Sequence, residues 1–187
     1  MKGTPLLLDM NARRTDWTRL SDAALLAQCA VDTYRASGPG GQKRNKTSSA
    51  VRLRHAPSGL LVIAEESRSQ HENKARALRR MRQALYLKIR EELPPEDRLP
   101  EKLAVRDEVR AARDAAGRLR PGRKSPHYWP AVGLVLDLLQ ALEGRVSEAA
   151  EALGTSTANL IEFLRDDDKV WEQINQLRTR FGHKPLR

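Results

Sequence analysis

The sequence contains almost no cysteine and few aromatic side chains. Cys29 is the only cysteine among 187 residues, so a disulfide framework and a cysteine-based metal site are both excluded. Aromatic residues make up 4% of the chain, which leaves few bulky groups for an amphipathic membrane-surface helix. Leu6-Leu7-Leu8 is too short for a signal-peptide core, and no later segment approaches a membrane span. We therefore expect a soluble, cytoplasmic and monomeric protein without a membrane partner.

Positive charge is in clear excess, and most of it lies in one part of the chain. The formal net charge is +10, and the sequence isoelectric point is about 10.2. Residues 35–90 contain fourteen Lys and Arg against three acidic residues, a net charge of +11. Residues 131–187 contain seven against nine, a net charge of −2. This distribution favours a polyanionic partner, and nucleic acid fits it better than an anionic membrane.

The first half of the chain has the pattern of a small α+β fold. Apolar residues recur at helical spacing over residues 21–31. Strands are predicted over three segments, residues 32–37, 49–55 and 60–66. The third begins with an unbroken apolar run, which predicts that it is the central strand. A long helical pattern follows, so we expect a small mixed β-sheet packed on a long basic helix.

This long helix, over residues 69–92, carries more cations than its acidic residues can pair. Its apolar stripe consists of Ala75, Leu78, Met81, Leu85 and Ile89. Four arginines lie outside the stripe with few acidic residues at i, i+4 spacing: Arg76, Arg79, Arg80 and Arg82. We predict that these arginines contact phosphates, and a solvated charged face is the alternative.

The composition changes after Pro94 and Pro95, which end the long helix. Residues 93–128 are rich in proline, glycine and arginine, and are predicted to form a poorly ordered linker with a helix over residues 101–116. Residues 129–187 predict a small all-α module with its own apolar core. The predicted organisation is therefore a basic α+β domain over residues 1–92, a linker, and a helical module.

Part of the helical module has a helix-turn-helix-like pattern. Ala150 is the small residue of the first helix, Gly154 lies in the turn, and Leu160 and Phe163 are apolar anchors of the second helix. Only Asn159 in this second helix has a side chain suited to reading bases. We therefore expect a compact cap or a protein-contacting module, with a DNA-binding regulator as the alternative.

The tripeptide Gly40-Gly41-Gln42 lies inside the most basic segment. Glycines can bring backbone N–H donors close to a reacting carbonyl oxygen and stabilise its developing negative charge. A glutamine amide both donates and accepts hydrogen bonds, so it can orient water although it is not a general base. With cations such as Arg35 and Lys43 around it, the tripeptide is interpreted as a water-positioning tip within a site built by RNA. A plain glycine-rich turn is the alternative for the tripeptide alone.

The longer pattern YRASGPGGQKRNKTSSAVRLRHAPSGL, followed by EESRSQHENKARAL, resembles the catalytic domain of bacterial class I peptide-chain release factors. It also resembles the shorter ribosome-rescue factors that lack the stop-codon reader. The resemblance covers residues 32–85 and implies that residues 1–92 are a release-factor GGQ domain. It implies hydrolysis of the peptidyl-tRNA ester in the ribosomal peptidyl-transferase centre, as codon-independent release or ribosome rescue. The chain differs from the family at Lys43-Arg44, where His-Val is usual.

The resemblance also implies residue roles and partners. Gly40, Gly41 and Gln42 would be catalytic, and Gln42 is a candidate substrate of a glutamine methyltransferase. The implied partners are large-subunit rRNA and peptidyl-tRNA, with no cofactor and no metal. The residues expected to contact RNA, the last three from their charge, are Arg35, Lys43, Arg44, Asn45, Lys46, Thr47, Arg68, Gln70, His71, Lys74, Arg76, Arg79 and Arg80. A ribosome- or RNA-binding factor without hydrolase activity is the main alternative.

Overall fold

The computed structural model describes residues 13–34 and 49–187. Within these ranges it consists of three β-strands, nine α-helices and one short 3-10 helix. The chain divides into two compact units, residues 1–85 and 86–187, and the division falls within the long helix α3, Gln70–Lys88. The α+β class predicted from the sequence is confirmed.

The first unit contains an antiparallel sheet in the order β1-β2-β3. Its strands are Cys29–Tyr34, Ala50–His55 and Leu61–Ala64. In β2 the side chains of Val51 and Leu53 are buried, whereas those of Arg52 and Arg54 are exposed, as the alternating sequence predicts. Both strand pairings are antiparallel, where a mixed sheet was predicted. The connection between β2 and β3, residues 56–60, is too short for the crossover that parallel neighbours need.

The prediction that the third strand is central is wrong, because β2 pairs with a strand on each side and β3 with β2 alone among the described strands. Leu61 and Ile63 lie opposite Arg54 and Arg52 in the register and are 42% and 39% exposed. Only the alternate residues of β3 point toward the core, and Ala64 is fully buried. The unbroken apolar run therefore gave no information on which residues face inward.

Among its described residues, the first unit contains three helices, of which the first was not predicted and the other two are shorter than the predicted ranges 21–31 and 69–92. They are α1 Arg14–Thr18, α2 Asp22–Ala27 and α3 Gln70–Lys88. The hydroxyl of Ser21 accepts a hydrogen bond from the Ala24 amide and caps α2. The helix stops at Ala27, and β1 begins at Cys29, so the last residues of the predicted helix form a strand. Leu78, Met81 and Leu85 of the predicted stripe are buried along α3, whereas Ala75 is half-buried and Ile89 lies beyond the end of the helix.

The second unit is entirely helical among its described elements. These are a 3-10 helix Pro95–Asp97, α4 Pro100–Ala104, α5 Asp107–Arg110, α6 Tyr128–Ala141, α7 Val146–Ala152, α8 Thr157–Arg165 and α9 Asp168–Arg180. Ten of the fourteen residues of α6 are buried, so this helix is the centre of the unit. Four residues separate α7 from α8, and Gly154 among them has a φ of +60°, which favours glycine. Ala150, Leu160 and Phe163 are buried, as the helix-turn-helix pattern predicts.

Residues 93–128 differ from the linker that was predicted there. Leu103, Val109, Leu119 and Tyr128 are buried in the same apolar cluster as helices α6 to α9. The guanidinium of Arg113 also donates hydrogen bonds to the backbone carbonyls of Gly117, within the segment, and Leu153, outside it. The apolar residues of this stretch are too widely spaced to show a period, so their common burial is visible only in the folded unit.

No helix in residues 13–34 or 49–187 is long and apolar enough to cross a membrane. The same residues contain no cluster of three or more His, Cys, Asp or Glu side chains that could hold a metal ion.

His55, at the end of β2, is a fully buried titratable group in the first unit. Its Nδ1 lies 2.8 Å from the Ser58 hydroxyl, and its Nε2 lies 3.0 Å from the side-chain oxygen of Gln28. The ring of Trp17 packs against it edge to face, with centroids 5.1 Å apart. Burial lowers the pKa of His55, because the charged imidazolium would lose its hydration.

We expect the first unit to lose stability as the pH falls through about 6.5, the ordinary histidine pKa, toward the lower pKa of the folded state. The unfolded chain has an ordinary histidine pKa of about 6.5 and binds the proton before the folded chain does. The loss is at most about 1.4 kcal/mol per pH unit from this group. Hydrogen exchange of the His55 amide, which is bonded to the carbonyl of Leu60, measures it. His55→Gln should have a smaller pH dependence, and an equal dependence in both proteins would exclude His55 as its source.

Candidate functional site

The segment predicted to carry the chemistry lies outside the described residues. The predicted site residues in it are Arg35, Gly40, Gly41, Gln42, Lys43, Arg44, Asn45, Lys46 and Thr47. The structure describes the two ends of this segment and the helix beside them. Because Tyr34 pairs with Ala50, the segment leaves and re-enters the sheet at the same end of the strand pair β1 and β2.

At the carboxyl end of the segment, the described chain resumes at Ser49, and the side chain of Asn73 holds it. Asn73 lies in the first turns of α3 and is 0% exposed. Its Nδ2 donates to the carbonyls of Ser49 at 2.6 Å and Ser67 at 2.8 Å. Its Oδ1 accepts from the Ser67 amide at 2.9 Å. Burying the amide of Asn73 without such partners would destabilise the fold by roughly 1–3 kcal/mol. The bond to the Ser49 carbonyl therefore fixes the position of Ser49 beside α3.

At the amino end of the segment, Tyr34 is held by side chains of the other two strands. Its hydroxyl donates to Oε2 of Glu65 at 3.2 Å, immediately after β3. The guanidinium of Arg52 lies 5.9 Å from the centre of its ring and also pairs with Asp32 at 3.1 Å. Partial burial and the nearby Glu65 carboxylate raise the pKa of Tyr34. The hydroxyl therefore keeps its proton and remains a donor.

Sequence reasoning missed Asn73, although it lies within the motif that carried the family resemblance. Of the motif residues beside it, Gln70, His71 and Lys74 were predicted to contact RNA. These three side chains are exposed or half-buried, whereas the side chain of Asn73 is buried. A signal was present in the sequence. Asn73 precedes the buried Ala77 and Met81 by one and two helical repeats, so a polar residue occupies a position of the apolar stripe.

The predicted RNA contacts at the start of α3 are available to a ligand. Arg68, Gln70 and His71 are exposed, and Lys74 is half-buried. Within the described ranges the side chains of these residues make no hydrogen bond or ion pair. They lie within five residues of Asn73 along the chain, so the structure brings them to the carboxyl end of the predicted catalytic segment.

The four arginines predicted to contact phosphates fall into two groups. Arg76 is exposed, and its ion pair with Glu72 is long, at 4.0 Å. Arg79 is exposed and has no partner among the described residues. Arg80 instead donates to the carbonyl of Ile63 and to the Glu66 carboxylate, and this bond lowers the pKa of Glu66. The structure therefore gives Arg80 a role in holding β3, in place of the predicted phosphate contact.

Arg82 also has a structural role in place of the predicted phosphate contact. Its guanidinium donates to the carbonyls of Thr18 at 2.8 Å and Leu20 at 2.6 Å. It also pairs with Asp22 at 2.8 Å, so it fastens α3 to the connection between α1 and α2. Side chains on the flanks of a helix reach neighbouring elements, whereas those of Arg76 and Arg79 point to solvent.

In the second unit, the base-reading side chain on which the DNA-binding alternative depended is buried. Asn159 is 8% exposed, and its Oδ1 accepts hydrogen bonds from the Leu119 amide at 2.9 Å and the Thr155 hydroxyl at 2.7 Å. Its Nδ2 donates to the Leu119 carbonyl at 3.2 Å. Asn159 therefore fastens α8 to the preceding segment, and Glu162 is exposed on the same helix.

Comparison with known proteins gives this arrangement a family. The RF-1 domain family model matches residues 26–120. Peptide chain release factor 1 of Acetivibrio thermocellus is 38% identical over 141 residues, which are 74% of this chain and 38% of that protein. Peptide chain release factor 1 of Bacillus subtilis is 39% identical over 124 residues, 66% of this chain and 34% of that protein. Peptide chain release factor 2 of Acidithiobacillus ferrooxidans is 49% identical over 81 residues, 43% and 21% of the two chains.

The chain therefore belongs to the RF-1 domain family, that of the class I release-factor catalytic domain. The resemblance found in the sequence motifs is confirmed. The chain spans between about one fifth and two fifths of the length of these relatives. The family match continues to residue 120, past residue 92, where the predicted catalytic domain ends. It includes α4 and α5 of the second unit and leaves residues 121–187 outside.

We expect Arg76 and Arg79 to supply phosphate contacts. Changing both to Gln should weaken ribosome binding. It should also make the negative slope of log affinity against log salt shallower by about 0.7–0.9 for each phosphate that is no longer neutralised. Binding of labelled protein to large ribosomal subunits over a salt series measures this slope. Arg110→Gln with Arg118→Gln removes the same charge from arginines paired with Asp107 and Asp114, and should leave the slope unchanged. Equal slopes for both double variants would place the phosphate contacts elsewhere.

The opposite behaviour is expected for Arg82. Arg82→Gln should lower the free energy of unfolding of the first unit by about 1–3 kcal/mol, because two partly buried carbonyl groups lose a charged donor. The salt slope of binding should stay at the wild-type value. Denaturant unfolding, followed together with the salt series, separates the two effects, and a reduced slope without a decrease in stability would contradict the assignment.

Proposed function

We propose that this chain catalyses ribosome-dependent hydrolysis of the peptidyl-tRNA ester. The observation that carries the proposal is Gly40-Gly41-Gln42, which lies within the RF-1 domain match and between the two anchored residues Tyr34 and Ser49. The relatives are peptide chain release factors, and a tip of this composition suits release chemistry in a site that rRNA builds.

In the proposed reaction, water attacks the carbonyl carbon of the peptidyl ester. The bond from that carbon to the tRNA ribose oxygen breaks, giving a free peptide carboxyl group and a tRNA hydroxyl. The backbone N–H of Gln42 stabilises the oxyanion that develops, and its side-chain amide orients the water. Gly40 and Gly41 allow the close approach of the backbone.

Three cations of α3, two of them exposed and one half-buried, support large-subunit rRNA and peptidyl-tRNA as the partners. Lys74, Arg76 and Arg79 lie on the helix whose first turn holds the end of the catalytic segment, and Arg68 lies just before it. Phosphate contacts there would hold the factor on the ribosome while the tip reaches the ester. The place of action would then be the cytoplasm, and Gln42 is the proposed site for a glutamine methyltransferase.

We further propose that release does not depend on a stop codon. Residues 26–120 match the family model, and the matches cover only 21% to 38% of the length of the release factors. The helices α6 to α9 lie outside the match, and the burial of Asn159 argues against a nucleic-acid-reading role for α8. Comparing stalled ribosomes with a stop codon, a sense codon and no codon in the A site tests this point.

Gln42→Ala should reduce peptide release by about 100-fold or more while ribosome binding stays near the wild-type level. The change removes an amide that orients water and leaves the charge unaltered. The measurement is release of labelled peptide from stalled ribosomes, together with binding of the factor. Gln176→Ala, the same change at an exposed position of α9, is the matched control.

Two outcomes would contradict the catalytic role. Release by Gln42→Ala at the wild-type rate would remove Gln42 from the mechanism. Binding without release by the wild-type protein, under every A-site condition, would instead support the alternative of an RNA-binding factor without hydrolase activity.

A further inference from the structure

We propose that Asn73 is a positioning residue for peptide release and that Tyr34 is its counterpart at the other end of the catalytic segment. The inference rests on the proposed function. Asn73 holds Ser49, where the described chain resumes after the segment, and Tyr34 is the last described residue before it. Neither residue belongs to the Gly-Gly-Gln tip, and neither was predicted from the sequence as a site residue.

The bonds of Asn73 indicate more than helix capping. Its two bonds to Ser67 join residues six positions apart and would suffice to hold the turn before α3. Its bond to the Ser49 carbonyl spans 24 residues and, at 2.6 Å, is the shortest of the three. One buried amide therefore fastens the end of the catalytic segment to the turn that starts the helix.

Tyr34 makes the corresponding connection from the opposite side. Its hydroxyl reaches across the sheet to Glu65, 31 residues away in the chain. Ala50, its partner in the register between β1 and β2, is fully buried. This hydrogen bond is exposed, so it contributes little to the stability of the fold, and its effect is to fix the tyrosine at the start of the segment.

The hydrogen bonds of Asn73 and Tyr34, which we call the two anchors, both involve the same short stretch of chain. Glu65, Ser67 and Asn73 lie within residues 65–73, which connect β3 to α3 and include its first turn. The same stretch carries the exposed Arg68 and His71. A ribosomal contact made by these side chains would therefore be made by the stretch that holds both ends of the catalytic segment, so docking and tip placement are coupled.

Such coupling matters for the rate because the reacting groups need accurate placement. A displacement of about 1 Å can reduce a rate by about 100-fold. The anchors should therefore act on the release step and leave the phosphate contacts of Arg76 and Arg79 unchanged.

The test uses Asn73→Ala, Asn73→Asp and Tyr34→Phe in the full chain. Asn73→Asp keeps the shape and the acceptor oxygen but replaces the donor that faces two carbonyls with an oxygen. We expect both Asn73 variants to lower the release rate at saturating factor by about 100-fold, with the half-saturating concentration within about twofold of wild type. Tyr34→Phe removes one hydroxyl and should lower the rate by about two- to tenfold.

A control separates placement from stability. Arg82→Gln destabilises the first unit away from the hydrogen bonds of Asn73 and Tyr34. It should release peptide at nearly the wild-type rate per folded molecule. A decrease in release by Arg82→Gln that matches Asn73→Ala at equal stability would overturn the positioning role.

The remaining outcomes also decide the matter. If the folded Asn73 variants release at the wild-type rate while Gln42→Ala is inactive, positioning is wrong and the proposed function stands. If neither Asn73 variant folds, Tyr34→Phe decides, and a wild-type rate for it overturns the proposal. A wild-type protein that releases no peptide contradicts the proposed function itself.

Discussion

The buried amide of Asn73 is the contact on which the arrangement of the candidate site depends. A side chain with two donors and one acceptor, removed from water, must find partners for all of them, and here the partners are backbone groups of Ser49 and Ser67. That requirement brings the start of β2, the turn after β3 and the first turn of α3 to one place. The sheet supplies the second constraint, because the pairing of Tyr34 with Ala50 places the start of the segment beside its end.

Helix α3 shows how one residue type acquires different roles on one helix. Arg76 and Arg79 point away from the core and remain available for phosphates, whereas Arg80 and Arg82 lie on its flanks and hold β3 and the α1–α2 connection. Arg79 and Arg80 occupy successive helical positions, which point about 100° apart, so these two arginines cannot share a direction. The net charge of a segment therefore overstates the number of cations that a ligand can meet. The basic surface is smaller than the composition suggests.

Polar side chains of the second unit form hydrogen bonds with backbone groups of the same unit. Arg113 bonds to the carbonyls of Gly117 and Leu153, and Asn159 bonds to the backbone of Leu119, so the segment before α6 is part of the helix-turn-helix packing. A helix that reads nucleic acid needs such side chains free at its surface. Asn159 is therefore not free to read a groove, and residues 121–187 of this unit lie outside the family match.

The sequence by itself determined the family, the basic α3, the alternating β2 and the helix-turn-helix spacing, because these depend on motifs and on periods of two or 3.6 residues. It could not determine that β3 is an edge strand of the described sheet or that residues 93–128 enter a core, since an unbroken apolar run and scattered leucines have no period. Nor could it separate Arg79 from Arg82, or reveal what Asn73 holds. Those facts depend on contacts between residues 24 to 64 positions apart, and only the tertiary structure decides which distant carbonyl a given side chain meets.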